Sequence, residues 1–164
     1  MPFPFSHSGE IAFAKAGSHR HFASSFLNRL ERELTRAKAR RIVTTNSELI
    51  FSAGMMRPVS SLNRLAMVSG GRVEVLGERD AEVVRYRIGF GQLFVASIVL
   101  LAFVTPSIWS QLDVPEAQRL GILAGLWLLF FGGNFSISAA SFRSMIQSAG
   151  RYRYAERPAP EVST

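Results

Sequence analysis

Residues 88–112 read IGFGQLFVASIVLLAFVTPSIWSQL, twenty-five positions without an acidic or basic side chain, and they follow directly on Glu82-Val-Val-Arg-Tyr-Arg87. An alternating, strand-like segment thus runs straight into a stretch long enough to cross a bilayer as a helix. A second uncharged run, Leu120 to Phe142, begins after the seven residues Asp113 to Arg119. The reading that follows is an α+β protein in three parts. Residues 1–87 form a cytoplasmic domain and residues 88–142 a two-helix transmembrane hairpin with a short extracytoplasmic loop; residues 143–164 form a basic, partly disordered cytoplasmic tail.

Within the first run Pro106 disfavours helical geometry at the residue before it, so the helix is expected over about 88–105, rising roughly 27 Å, with Trp109 beyond it as an interfacial anchor. The second helix is expected over 114–142. Asp113-Val-Pro-Glu116 offers an acidic N-cap three residues ahead of a glutamate, with Pro115 in the first turn. Gly121, Gly125, Gly132, Ser136 and Ala140 share one face of it, a groove that takes either the other helix of the hairpin, a second copy or a partner helix. Gln92 and Asn134 are placed to hydrogen-bond across an antiparallel hairpin. No Asp, Glu, Lys, Arg or His lies inside either run, which removes the residues that proton relays and ion paths use.

Charge sets the expected orientation. Residues 1–87 carry 14 basic and 8 acidic side chains, the loop 1 and 2, and the tail 4 and 2. The excess of Arg lies outside the hairpin on both flanks, at Arg85, Arg87, Arg143, Arg151 and Arg153, so both termini are expected in the cytoplasm. The chain has 17 Arg and 2 Lys, a skew of the kind GC-rich coding produces, which points to a bacterial inner membrane. Met1-Pro-Phe-Pro-Phe-Ser-His-Ser has neither a basic nor an apolar signal region, so the first apolar helix is expected to direct insertion.

In the domain, Phe22, Phe26, Leu30, Leu34 and Ala37 mark an amphipathic helix from Ser18 to about Arg40, capped by Ser18. Glu10 to Ala14, Arg41 to Thr45, Glu48 to Ala53, Leu65 to Ser69, Arg72 to Leu76 and Glu82 to Ile88 read as strands, with residues 54–64 irregular and Gly70-Gly71 as a turn. One helix on a mainly antiparallel sheet is the expected arrangement. No Gly/Ser or Pro-rich linker separates the last strand from the first apolar helix, so the domain is held close to the membrane.

Chemistry is sparse. The chain has no cysteine, which excludes thiolate nucleophiles, disulfides and iron–sulfur clusters, and it has neither a phosphate loop nor a spaced catalytic triad. No cofactor is expected. The candidate metal ligands are His7, His19 and His21 with Glu10 among them. Basic clusters, Arg36, Lys38, Arg40 and Arg41 with Arg151-Tyr-Arg-Tyr154, suit anionic headgroups better than nucleic acid, for which no reading motif is present. On Asn63-Arg-Leu-Ala-Met67, Gly70-Gly-Arg-Val-Glu-Val75 and Val84-Arg-Tyr-Arg-Ile-Gly-Phe90, the chain resembles small bacterial two-pass membrane proteins in which a strand-rich domain leads into the membrane. That resemblance brings no activity with it. The expected function is a non-enzymatic membrane-anchored accessory or interaction module; the alternative is a membrane-associated enzyme or metal-binding domain built on the histidines.

Overall fold

A computed structural model of the chain describes residues 5–15, 18–53, 67–111 and 114–151. The chain is α+β. Strands β1 (Ser6–Ala14), β2 (Arg40–Thr44), β3 (Glu48–Ser52), β4 (Gly70–Gly77) and β5 (Ala81–Gly89) form one antiparallel sheet in the order β1-β5-β4-β3-β2. Helix α1 (His19–Arg36) lies between β1 and β2 in sequence, and α2 (Gly91–Gln111) follows β5 after Phe90 alone. A last continuous helix is divided by a π-helical turn at Leu128–Gly132 into α3 (Glu116–Trp127) and α4 (Gly133–Arg151).

Alternation along the strands decides which face is covered. Val73 and Val75 on β4, Val84, Tyr86 and Ile88 on β5, and Leu49 and Phe51 on β3 are all buried on one face. Against them α1 packs Phe22, Phe26, Leu27, Leu30 and Leu34, and α4 packs Phe142, Met145, Ile146 and Ala149. Phe142 stacks on Phe51 at 5.8 Å between ring centres and tilts against Tyr86 at 5.6 Å. The opposite face carries crossed charges, with Arg85 bonded to Glu10 and Arg72 to Glu48.

α4 changes the expected plan. The second apolar helix does not stop at Phe142 but continues to Arg151, and residues expected in a tail instead complete the core. The reason lies in its pattern. Phe142, Met145, Ile146 and Ala149 keep helical spacing beyond the last uncharged residue, so a one-sided stripe continues where the all-apolar surface ends. Gly150 lets α4 approach β1, since a Cβ there would overlap the ring of Phe13. Residues 152–164 lie outside the described residues.

Four other expectations are corrected. α2 runs through Pro106 to Gln111 instead of ending near 105, and Thr105 Oγ1 donates to the Leu101 carbonyl at 2.7 Å. A proline inside an apolar helix is tolerated where Ser or Thr side chains and neighbouring helices take up the backbone groups it disturbs. Gly70 and Gly71 open β4 instead of making a turn: a Cβ at Gly71 would come within 2.9 Å of the Phe51 ring. Val68 and Ser69 precede that strand without forming one of their own, and 65–66 lie outside the described residues. α1 ends at Arg36, four residues early, because Lys38 takes φ 58° and turns the chain, with Ala39 N–H bonded to the Leu34 carbonyl and Lys38 N–H to that of Thr35.

α2 and the long helix are both long and apolar enough to cross a membrane. Core helices of soluble proteins pass the same test of composition, but here only 17% of the most apolar window of α2 is buried and none of that of the long helix. Phe103 is 77% exposed and Leu129 75%. An apolar surface of this extent suits a membrane or a protein partner.

Two substitutions separate the solvents of these surfaces. Phe142→Ala empties the centre of the core and is expected to cost about 3–5 kcal/mol, whereas Phe103→Ala should change stability by less than about 0.5 kcal/mol. Thermal unfolding of the detergent-solubilised chain distinguishes them; equal effects would contradict the division. Lys38→Gly and Arg41→Gly, at φ 58° and 50°, should each be neutral or stabilise by up to about 1 kcal/mol, because glycine occupies left-handed backbone without a Cβ clash. A comparable loss in the same melts would contradict that.

Candidate functional site

The histidines are not brought together. His7 points inward from β1 opposite Ile88, half-buried against Tyr86 and the edge of the Phe135 ring at 5.9 Å. His19 opens α1 at the other end of the sheet, beside Gly77 and Glu82. Ile88 and Glu82 are six residues apart on β5, a separation of roughly 20 Å. Glu10 lies on the opposite face of β1 from His7 and binds Arg85, whose guanidinium is pushed further up from its ordinary value by that hydrogen bond and by the Glu10 charge. His21 is one helical position beyond Arg20, and no group of three metal-binding side chains forms among the described residues. Spacing in sequence suggests a cluster, but β1 runs from His7 toward α1 and carries His19 to the other end of the sheet.

His19 instead makes one contact of consequence. Its Nδ1 lies 2.5 Å from Glu82 Oε2, with the Glu82 side chain 1% exposed and that of His19 40%. Glu82 Oε1 has no partner among the described residues. A buried carboxylate with one partner is held in place by that partner alone. The sequence carried a signal for it: Glu82 has the same parity as Val84, Tyr86 and Ile88, so alternation points it into the core.

The two amides of the apolar runs also part company. Gln92 donates through Nε2 to the Ala53 carbonyl at 3.2 Å, and its backbone N–H donates to Ser69 Oγ at 2.8 Å. Ser69 thereby caps α2 from a distance and fixes the start of the helix to the ends of β3 and β4. Asn134 Nδ2 donates at 2.6 Å to the Phe130 carbonyl within its own helix. Phe130 lies in the π-helical turn, and its carbonyl takes the amide in addition to a backbone N–H. The polar contact between the two helices is a different one, Trp127 Nε1 donating to buried Ser97 Oγ at 3.1 Å. At the far end Arg119 stands over the Trp109 ring at 5.9 Å.

The small residues of α3 do not face α2. A Cβ on Gly121, Gly125 or Gly132 would meet nothing within 4 Å, and Ser136 and Ala140 are exposed. The contact surface of the long helix is its aromatic side, where Trp127 and Phe131 stack at 5.0 Å, Phe131 reaches Phe5 and Phe94, and Phe135 covers Phe90 at 4.6 Å. The groove is therefore open along its length among the described residues. No family model, curated protein or solved structure matches the chain.

His19→Ala, which leaves the Glu82 carboxylate buried alone, is expected to cost about 3 kcal/mol, Glu82→Gln less, and His21→Ala under about 0.5 kcal/mol. Denaturant titration of the three variants checks the order; a His19→Ala variant as stable as His21→Ala would contradict the assigned role.

Proposed function

We propose that this chain is a two-pass protein of the bacterial inner membrane, with both termini cytoplasmic, and that its sheet domain works as a non-enzymatic, membrane-anchored accessory or interaction module. The observation that carries the reading is the open groove of Gly121, Gly125 and Gly132, bordered by Ser136 and Ala140, which the chain's own helices leave unfilled. Small residues admit a second backbone closely enough for van der Waals packing to hold helices together in lipid. The occupant is a second copy or a partner membrane protein.

Orientation follows from charge. The sheet domain and α4 pack together, so both flanks of the helix pair lie on one side, and that side holds the excess of Arg while the connecting segment holds Arg119 against two acids. Anionic headgroups are the lipid partner this balance favours. No nucleic-acid partner is proposed. The alternative of an enzyme or metal-binding domain built on the histidines draws no support from their dispersal.

Cross-linking in intact cells, followed by purification in mild detergent, tests the reading against a Gly125→Leu, Gly132→Leu variant. A cross-linked species, either a dimer or a second protein, is expected in the parent and should fall at least tenfold in the variant. An uncross-linked chain in both would overturn the interaction role of the groove.

A further inference from the structure

Strand register sorts the charges of the domain along the sheet. Arg40 lies opposite Ser52, Ser52 opposite Gly70, and Gly70 opposite Gly89, two residues before α2 begins at Gly91. The turn between α1 and β2 is thereby carried to the end of the sheet from which the first apolar helix leaves, although 50 residues of sequence separate Arg41 from Gly91. Glu48, Glu74 and Glu10 share one row with Arg85, four residues back from Gly89, and Glu78, Asp80 and Glu82 are at or near the opposite end. Of the acids near the turn, Glu33 is already bonded to Arg36 at 2.8 Å.

What remains at this end among the described residues is cationic. Arg40 and Arg41 are exposed, and their side chains make no hydrogen bond or ion pair among the described residues. Arg87, on β5 with β4 and β3 between it and the turn, gives its guanidinium among the described residues to the Ser6 hydroxyl, at 3.2 and 3.3 Å. The backbone singles out the same turn. Lys38 and Arg41 have φ of 58° and 50°, and Arg41 falls in the bulge that breaks the β2–β3 register between Arg40 and Val43. Glycine is the residue that both positions favour on steric grounds; both instead hold a cation. Strained backbone that keeps a side chain of one chemistry is a reason to look for a ligand of the opposite charge.

We propose that the α1–β2 turn is a binding site for the phosphate of an anionic phospholipid, with Arg40 and Arg41 as its ligands. Guanidinium groups bind phosphate oxygens in pairs and stay charged throughout the physiological range. A lipid is the source favoured here because the turn stands level with the entry of α2 into the membrane, where headgroups are concentrated. The site rests on the membrane reading above. It narrows the basic clusters that the sequence offers to headgroups to one turn, since Arg36 is bonded to Glu33, Arg85 to Glu10, and Arg143 and Arg151 lie on α4 along the domain.

The test uses the full chain in neutral detergent, with its melting temperature followed on addition of dioleoyl phosphatidylglycerol, dioleoyl phosphatidylcholine or inorganic phosphate at equal concentrations. Phosphatidylglycerol should raise the melting temperature by several degrees and the other two should not. In an Arg40→Gln, Arg41→Gln variant the rise should be lost while the starting melting temperature stays within a degree or two of the parent. Arg41→Gly, which relieves the left-handed backbone, should fold at least as well and still lose a large part of the rise, which keeps the test decisive if the double variant folds poorly. An undiminished rise in either folded variant would overturn the site. So would an equal rise with phosphatidylcholine, and an equal rise with inorganic phosphate would overturn the lipid as its source. Retention of the variants in membranes after an alkaline wash reports on insertion separately from the lipid effect.

Discussion

One helix that must satisfy two solvents is the constraint on which the rest depends. From Glu116 to Arg151 it is 36 residues long, about 54 Å, far more than a bilayer requires. Beyond Arg119 its first half is apolar, with an aromatic side against α2 and the remainder exposed, and its second half has one buried stripe that closes the core of the sheet domain. The π-helical turn at Leu128–Gly132 falls between them. In regular α-helix, residues four apart drift around the axis, and a wider turn offsets that drift. Trp127, Phe131 and Phe135 thus stay in line and hand over to Phe142 on the sheet.

The other covalent crossing is as tight. β5 reaches α2 through Phe90, and Ser69 and Ala53 take hydrogen bonds from Gln92, so the first helix is tied to three strands at its origin. Phe5 stacks on Phe94 at 4.1 Å and ties in the start of β1 as well. With two rigid junctions, the sheet cannot turn freely against the helix pair. That fixes which end of the domain stands nearest the apolar helices, and Arg40 and Arg41 lie at that end.

Local signals in the sequence account for the hairpin of β4 and β5, the amphipathic α1 and the two apolar helices, because each is set by a period or a length that neighbours cannot easily override. Tertiary partners set the remainder. β1 begins at Ser6, not Glu10, because pairing with β5 extends it through a stretch with no alternation of its own. α4 was hidden by Arg143, whose charge ended the uncharged run but sits on the exposed side of the helix. Gln92 and Asn134 lie at similar depth in the two runs, yet one bonds the end of β3 and the other its own helix at the π turn, neither visible in composition. The small-residue face was legible as a groove, but not that α2 would leave it empty; the aromatic side, with Trp127 and Phe131, outcompeted it for that contact.

The division of the long helix between lipid and domain is the central claim, and the absence of cysteine from the chain allows it to be tested at single sites. Spin labels placed singly at Leu129, in the open apolar half, and at Arg143, on the exposed side of α4, would be compared in reconstituted phosphatidylglycerol-containing vesicles. The account predicts that oxygen relaxes the label at 129 strongly while a water-soluble nickel chelate does not, with the reverse at 143. Equal access of the nickel chelate to both positions would contradict it.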